Sequence, residues 1–446
     1  MLQAYMEEGM TARAVFSLFV RRLPEQRNFL LACGLDAVLA FLEQLRFDAD
    51  ALRYLASLDR FSDRFLRWLE DLRFTGDVWA VPEGTPVFGE EPLLEVTAPI
   101  AEAQLVEAFV MNQMHLQTLL ASKAARVVHA ADGRAVVDFG LRRTHGVDAA
   151  ISAARAFAIA GVTATSNVAA GQLYNLPLAG TLAHSYIQAH DDERDAFRAF
   201  TQVFPETALL VDTYDTLEGV RRVVDLARER GPGFRVTAIR LDSGDLGALA
   251  VEARRLLDQA QLSHVRIMAS GGLDEVAIAR LVAAGAPIDQ FGVGTDMGVS
   301  RDVPGLDMAY KLVEYAGHSR MKLSPGKVLW PGPKQVFRVE RRGVADHDVL
   351  AQRGEVLDGR PLLRPVMVDG VRSAEGRATL PEAAARSWAE LDRLPLPLRE
   401  LAPARPGYPV VVSDGLVAHR EALTRSLTNA TSGVGTPWEG TCRRRC

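Results

Sequence analysis

RVTAIRLDSGD (235–245), LGALAVEARRLLDQA (246–260), HVRIMASGG (264–272), LDEVAIARLVAAGA (273–286) and IDQFGVGTD (288–296) follow one another almost without a gap. The first, third and fifth are short apolar runs that stop at an acid or a pair of glycines. The second and fourth carry apolar residues three and four apart, the period of a helix packed on one face. Together they predict a βαβαβ stretch with strands spaced for parallel pairing. Working outward, VVDFGLRR (136–143), GTLAHS (180–185) and LLVDTYD (209–215) have the same form. A weak run at Gly161–Thr165 brings the expected strands to seven. The prediction is an α/β fold, an irregular seven-stranded barrel with acids, bases and glycines gathered at one rim. Barrels and doubly wound sheets keep their active sites there.

The flanks change character. Residues 1–70 read as helical, with FLEQLRF and FLRWLEDLRF as the amphipathic stretches. Residues 75–97 alternate short apolar runs with Gly and Pro, which predicts a small antiparallel sheet. A long helix is expected over 100–123. PLLRPVMVDG (361–370) reads as a strand returning to the 75–97 sheet. Three regions result: 1–120, helical with part of a small sheet; 121–320, the barrel; 321–446, the return to an open-faced α/β domain. From about residue 425, SLTNATSGVGTPWEGTCRRRC has the composition of a disordered tail.

The bulk numbers narrow the function. The chain has 446 residues, 48% apolar and 24% charged, with a formal net charge of −5. That gives no reason to expect nucleic-acid binding. No run approaches the length needed to span a bilayer, and the first residues lack the form of a signal peptide. Three cysteines without CxxC or His/Cys spacing fit a reduced, cytoplasmic location and no structural zinc.

The rim clusters carry the chemistry. The glycine loops Ser270–Gly271–Gly272 and Gly292–Val293–Gly294–Thr295 end consecutive strands, as phosphate cradles in barrels do; the plain alternative is two tight βα turns. Arg240 and Asp242 lie two apart, on one face of a strand. Asp212 offers a second tip carboxylate. Two such acids beside a phosphate site suit a Mg²⁺-bound polyphosphate, against the alternative of an ion pair closing the barrel mouth. Arg142 and Arg143 follow Phe139, so an Arg fork and a ring for a flat substrate come together. His184 and Ser185 end the run GTLAHS, and His184 is a candidate for chemistry; His145 reads as structural.

In this order, DFGLRR, TATSNVAAG, GTLAHS, VDTYDT, RLDSGDL, ASGGLDE and FGVGTDMG resemble the nicotinate phosphoribosyltransferases, of the type II phosphoribosyltransferase family. So does SLFVRRLPEQRNFLLACGL (17–35), and the likeness runs to about residue 370. The resemblance implies joining nicotinate to 5-phosphoribosyl 1-diphosphate, with Mg²⁺, to give nicotinate mononucleotide and pyrophosphate for NAD biosynthesis. It implies coupling to ATP through a phosphorylated histidine, and a homodimer with shared active sites. On this resemblance His184 is the phosphohistidine, with Ser185 beside it. Arg142 faces the substrate carboxylate or diphosphate, and Phe139 lies beside the pyridine ring. Asp212 and Asp242 hold Mg²⁺ and diphosphate next to Arg240. Ser270, Gly271, Gly272, Gly292, Gly294 and Thr295 bind the 5-phosphate, and Lys322 and Lys327 reach phosphate. Nicotinamide phosphoribosyltransferase carries an Asp where this chain has Ser166; a neutral hydroxyl can donate to a carboxylate, which favours nicotinate. Nicotinamide or quinolinate as the base, and a phosphosugar-binding homologue of low turnover, stay open. Relatives also open on a D-x-Y segment whose Tyr stacks on the base; Met1 falls just inside it, and Tyr5 is too late to be that residue.

Overall fold

The computed structural model describes residues 1–324 and 329–432. Six parallel strands form the sheet that carries the rim: β1 (Ala135–Asp138), β2 (Ala164–Thr165), β3 (Ala208–Leu210), β4 (Ala238–Leu241), β5 (Arg266–Ala269) and β6 (Gln290–Val293). Their spatial order is β2-β1-β6-β5-β4-β3. Arg266 pairs with Ala238, and Val293 with Asp138, so the carboxyl ends of the strands fall together. Ile239, Leu241, Ile267, Ala269, Phe291 and Val293 are buried. Near-continuous apolar runs are what a parallel sheet covered on both faces demands.

Three of the connecting helices start the same way. Asp215, Asp245 and Asp274 each accept a hydrogen bond from the backbone N–H three residues on, at Glu218, Ala248 and Ala277. These are helix N-caps, each satisfying a donor the helix cannot. The acids of VDTYD, LDSGD and GGLD therefore divide: the last of each motif starts a helix, and Asp212 and Asp242 remain for the rim.

A seven-stranded antiparallel sheet forms the second layer. Its centre is Arg13–Val20, flanked by Met308–Tyr315 and Pro92–Pro99. Asp77–Ala80 follows, and Arg364 pairs with Ala80, so the segment after 361 does return to the 75–97 region. A four-stranded sheet adds Arg360–Pro361, Lys334–Arg341, Val344–Gln352 and Val410–Val412.

The structure departs from the sequence expectations in several places. GTLAHS is not a strand. Pro177 and Gly180 break the run, and Leu178 makes only one isolated bridge, to Thr165, before His184 opens a helix to Gln188. The parallel sheet thus pairs six strands, not seven. RAVFSLFV (13–20) is a strand inside the region read as helical; its residues from Ala14 on are all buried. The expected 100–123 helix is two pieces, Ile100–Leu105 and Glu107–Ala130, the second running well past residue 120. The chain is helical over Asp414–Ser432, so the expected tail is ordered to that point; residues 433–446 lie outside the described residues.

Candidate active site

Over the ends of β1, β4, β5 and β6 lies a polar cavity of about 200 Å³. Phe139, Arg142 and Arg143 form one wall, Arg240 and Asp242 another. Ser270–Leu273 and Gly292, Gly294, Thr295 and Asp296 close the floor.

Glycine is required where the walls approach. Gly271 has φ +90°, and a Cβ there would stand 1.8 Å from the Asp242 carbonyl oxygen. A Cβ on Gly292 would stand 2.5 Å from the Phe139 ring. The first glycine lets the β5 loop close on the Asp242 backbone; the second seats the ring. Among the described residues the N–H groups of Gly271, Gly272 and Gly294 have no hydrogen-bond partner. Three backbone donors without a partner, on residues that line one polar cavity with cationic walls, are the groups from which anion sites are built.

The Arg240 guanidinium is held on four sides. Its Nε donates to Ser270 Oγ at 2.8 Å, Nη1 to Thr181 Oγ1 at 3.1 Å and Nη2 to Asp242 Oδ1 at 2.5 Å. Its face lies 5.2 Å from the centre of the Phe139 ring. Burial would raise the Asp242 carboxyl, but the Ser270 hydrogen bond and the Arg240 charge outweigh it and hold the group below its ordinary range. Asp212 lies behind: its Oδ2 accepts from the Asp242 N–H at 3.0 Å and from Ser243 Oγ at 2.6 Å. Its Oδ1 is buried and has no hydrogen-bond partner among the described residues. His184 Nδ1 lies 3.1 Å from Thr213 Oγ1, and Nε2 lies 3.9 Å from Asp242 Oδ2. One carboxylate therefore touches Arg240, Ser270 and the neighbourhood of the histidine.

Residues 1–115 match the family described as nicotinate phosphoribosyltransferase N-terminal domain, and residues 120–311 that of quinolinate phosphoribosyl transferase, C-terminal domain. A nicotinate phosphoribosyltransferase of Mycobacterium tuberculosis is 54% identical over 430 residues, covering 96% of this chain and 92% of that one. The chain belongs to the nicotinate phosphoribosyltransferase family. The crystal structure of human nicotinic acid phosphoribosyltransferase superposes with a TM-score of 0.84 at 29% identity, covering 95% of this chain and 98% of that one. A nicotinate-nucleotide pyrophosphorylase from Pyrococcus furiosus shares the fold, with a TM-score of 0.72 at 23% identity over 88% of this chain and 92% of that one.

The phosphoribosyltransferase fold brings most of the predicted site residues together. Phe139, Arg142, Arg240, Asp242, Ser270, Gly271, Gly272, Gly292, Gly294 and Thr295 line one cavity. Asp212 and His184 adjoin it through Asp242. Ser166 sits one strand away, its N–H donating to the Asp138 carbonyl. Ser185 is exposed on the short helix that His184 begins, and neither it nor Lys322 lines the cavity. His145 is exposed on the turn after Arg143, and Lys327 lies outside the described residues. Ser270 differs from expectation. Its N–H donates to the Leu241 carbonyl and its hydroxyl is taken by Arg240 and Asp242, so it has no donor left for a phosphate.

Arg143, read with Arg142 as a fork, lines the cavity as expected, and three further contributors were missed: Asp296 and Leu273 line the cavity, and Asp138 braces the turn that carries Phe139 and Gly140. Burial raises the Asp138 carboxyl, which accepts from the Gly140 N–H at 2.7 Å and the Thr165 hydroxyl at 2.7 Å. The Asp in DFGLRR was the available signal: an acid before an aromatic at a strand end has backbone to organise. Thr181 and Thr213 had no signal of their own.

Proposed function

We propose that this enzyme joins nicotinate to 5-phosphoribosyl 1-diphosphate, releasing pyrophosphate and forming nicotinate mononucleotide in the cytoplasm. The observation that carries the reading is the set of three N–H groups without a partner among the described residues, at Gly271, Gly272 and Gly294, on residues that line one cavity with Arg240 and Arg142. Such a site suits the several negative charges of a phosphoribosyl diphosphate. Phe139 gives the pyridine ring an aromatic neighbour, and Ser166 favours a carboxylate over an amide.

Among the described residues no three His, Cys, Asp or Glu side chains form a metal cage. Mg²⁺ does not need one: it keeps much of its water and takes one or two carboxylates with substrate phosphate oxygens. Asp242 Oδ2 and the unpartnered Oδ1 of Asp212 fit that role. Bound there, Mg²⁺ would neutralise charge on the diphosphate leaving group. The protein's own part is to orient the diphosphate through Arg240 and the backbone cradle and to present the ring nitrogen to the anomeric carbon. That is electrostatic and positional catalysis.

We extend the reading to His184 as the residue phosphorylated by ATP, supported by its half-exposed ring beside Asp242. A homodimer sharing active sites is supported by exposed apolar side chains on the helices and the segment that follow β1 and β2, Val147, Val168, Leu173 and Leu178. The seven-stranded barrel of the wider family would then take its remaining position from the segment that holds the Leu178 bridge and runs on into GTLAHS.

Product analysis with nicotinate, nicotinamide and quinolinate, each with 5-phosphoribosyl diphosphate and Mg²⁺, with and without ATP, tests the assignment. Nicotinate mononucleotide as the dominant product is expected; equal use of nicotinamide would remove the argument from Ser166. Labelled ATP should leave an acid-labile, base-stable phosphate on the native chain and none on His184→Ala.

A further inference from the structure

We infer that Lys123 is a positioning residue that sets the two glycine loops of the cavity against each other; this rests on the reading of those loops as a phosphate cradle. Lys123 lies on the helix Glu107–Ala130 and is 2% exposed. Its Nζ donates to Glu275 Oε2 at 2.5 Å and stands 2.9 Å from Asp302 Oδ1. Glu275 opens the helix that follows Gly271 and Gly272. Asp302 comes shortly after the helix Thr295–Gly298, which begins just past Gly294. One ammonium thus spans the first element behind each loop. Lys123, Glu275 and Asp302 do not line the cavity, so they act on a ligand only through the loops.

The rest of the network leaves that task to Lys123. Arg126 Nε donates to Glu275 Oε1 at 3.0 Å, and its Nη2 to the Leu401 carbonyl. Arg27 donates to both oxygens of Asp302, at 2.6 and 3.1 Å, and to Ser300 Oγ. Each acid keeps a guanidinium of its own, and among the described residues Lys123 is the cation that touches both. Burial would raise the two carboxyls. The Lys123 charge at Glu275, and hydrogen bonds from Arg27 and Lys123 at Asp302, outweigh it and hold both below their ordinary range. The Asp302 side has little slack: Ser300 is fully buried at φ +44°, and the Arg301 N–H donates to the carbonyl of Asp296, a residue of the cavity floor. Without the ammonium nothing joins the two acids, and their like charges push them, and the loops in front of them, apart.

Lys123→Met keeps the length of the side chain and removes its charge. Glu275→Gln breaks the same bridge from the other side and leaves Lys123 its Asp302 partner, so it decides the matter where the methionine variant does not fold. The measurements, on the full chain, are calorimetric titration with ribose 5-phosphate, separate KM values for nicotinate and 5-phosphoribosyl diphosphate, and hydrogen exchange over residues 270–275 and 292–302. In either variant ribose 5-phosphate should bind roughly tenfold more weakly and the KM for the diphosphate substrate should rise alike. The KM for nicotinate should stay within about twofold, and exchange should quicken in those two segments. The double variant should lose no more than the worse single one, because the two residues act as one unit. Arg338→Met, which breaks a buried pair elsewhere in the fold, should lower stability and leave ribose 5-phosphate affinity alone. Wild-type affinity in folded Lys123→Met or Glu275→Gln, additive losses in the double variant, or an equal loss of affinity in Arg338→Met would overturn the positioning role and leave the cradle standing. Wild-type protein that binds no ribose 5-phosphate overturns the cradle reading and Lys123 with it.

Discussion

Two of the arginine–aspartate pairs built on strands have opposite fates. Arg338 and Asp348 are register partners on neighbouring antiparallel strands, with side chains 1% and 0% exposed. Two hydrogen bonds of 3.0 and 2.6 Å join them, the Pro86 carbonyl accepts from Nη2, and the Phe88 and Tyr408 rings cover the guanidinium. Arg240 and Asp242 lie two apart on one strand, at its open end, 16% and 24% exposed. Only one oxygen of Asp242 is taken by Arg240; the other faces His184 and the cavity. The first pair is sealed on every side and holds sheets together. The second leaves charge and lone pairs facing a ligand. What separates structure from function is where the unused group faces: Arg338 Nη1 is left inside the core, whereas the second oxygen of Asp242 looks out towards His184.

Mutation should split the two. Arg338→Met strands Asp348 in the core, and removing one partner of a buried pair costs about 3–5 kcal/mol. Denaturant unfolding should show that loss, while kcat per folded molecule stays near wild type. Asp242→Asn should do the reverse. Its melting temperature should hold, and turnover should fall by roughly 10²–10³, the size seen for a key electrostatic group. Near-normal turnover in folded Asp242→Asn would make the rim pair a mouth-closing ion pair and nothing more.

Which pair was functional was legible because Asp242 stands where a strand stops, between apolar residues and a glycine loop. The buried pair gave no comparable signal, since its partners are ten residues apart and meet only through a hairpin register. The same limit explains the other misses. RAVFSLFV (13–20) shows no alternation because both faces of the strand are covered, and periodicity cannot tell such a run from a buried helix. GTLAHS resembles a strand because a short run there stops at a polar cluster, but it pairs with no strand among the described residues; the one isolated bridge is made by Leu178, just before it. Ser270 is expected among the phosphate ligands from its place in a strand-end glycine loop and from the family resemblance; its donors are already committed, which only coordinates reveal. The helix-capping role of Asp215, Asp245 and Asp274 was open to a reading of the motifs and was not taken.

Gly271 tests whether the rim needs its close approach. Alanine would have to adopt φ +90° with its Cβ 1.8 Å from the Asp242 carbonyl oxygen, so the loop must move. A strained conformation of this kind costs about 1–3 kcal/mol. Both stability and pyrophosphate affinity should fall in Gly271→Ala. Gly133→Ala, at a turn of φ +79° with nothing within 4 Å, supplies the control for backbone strain alone. Equal effects at the two positions would mean that the contact with Asp242 is incidental.

The smallest effect concerns the sealed pair and pH. Glu91 is buried beside it, and burial, then the nearby Asp348 charge, push its carboxyl well above the ordinary range, against the pull of Arg338. The protonated group has a use: its Oε2 accepts from the Phe88 N–H at 2.8 Å, and its proton can be shared with Asp348. A carboxyl whose pKa is raised by folding contributes stability that is fully present below its unfolded value, about 4.3, and is lost as pH rises through the folded value. The folded protein binds the proton that the unfolded chain has released, so unfolding becomes easier as pH rises. Glu91→Gln keeps a donor towards Asp348 and cannot ionise. It should match wild type near pH 4.5 and gain on it as pH rises towards the folded value, by about 1.4 kcal/mol for each unit traversed. Asp242, held low, has the opposite sign: its contribution is present above the unfolded carboxylate range and lost as pH falls through the folded value, and Glu91→Gln leaves that acid limb untouched. Unfolding curves of wild type and Glu91→Gln from pH 4.5 to 9 that run parallel would show that Glu91 is ionised in the fold, and the sealed pair would then hold a second charge that it has no means to balance.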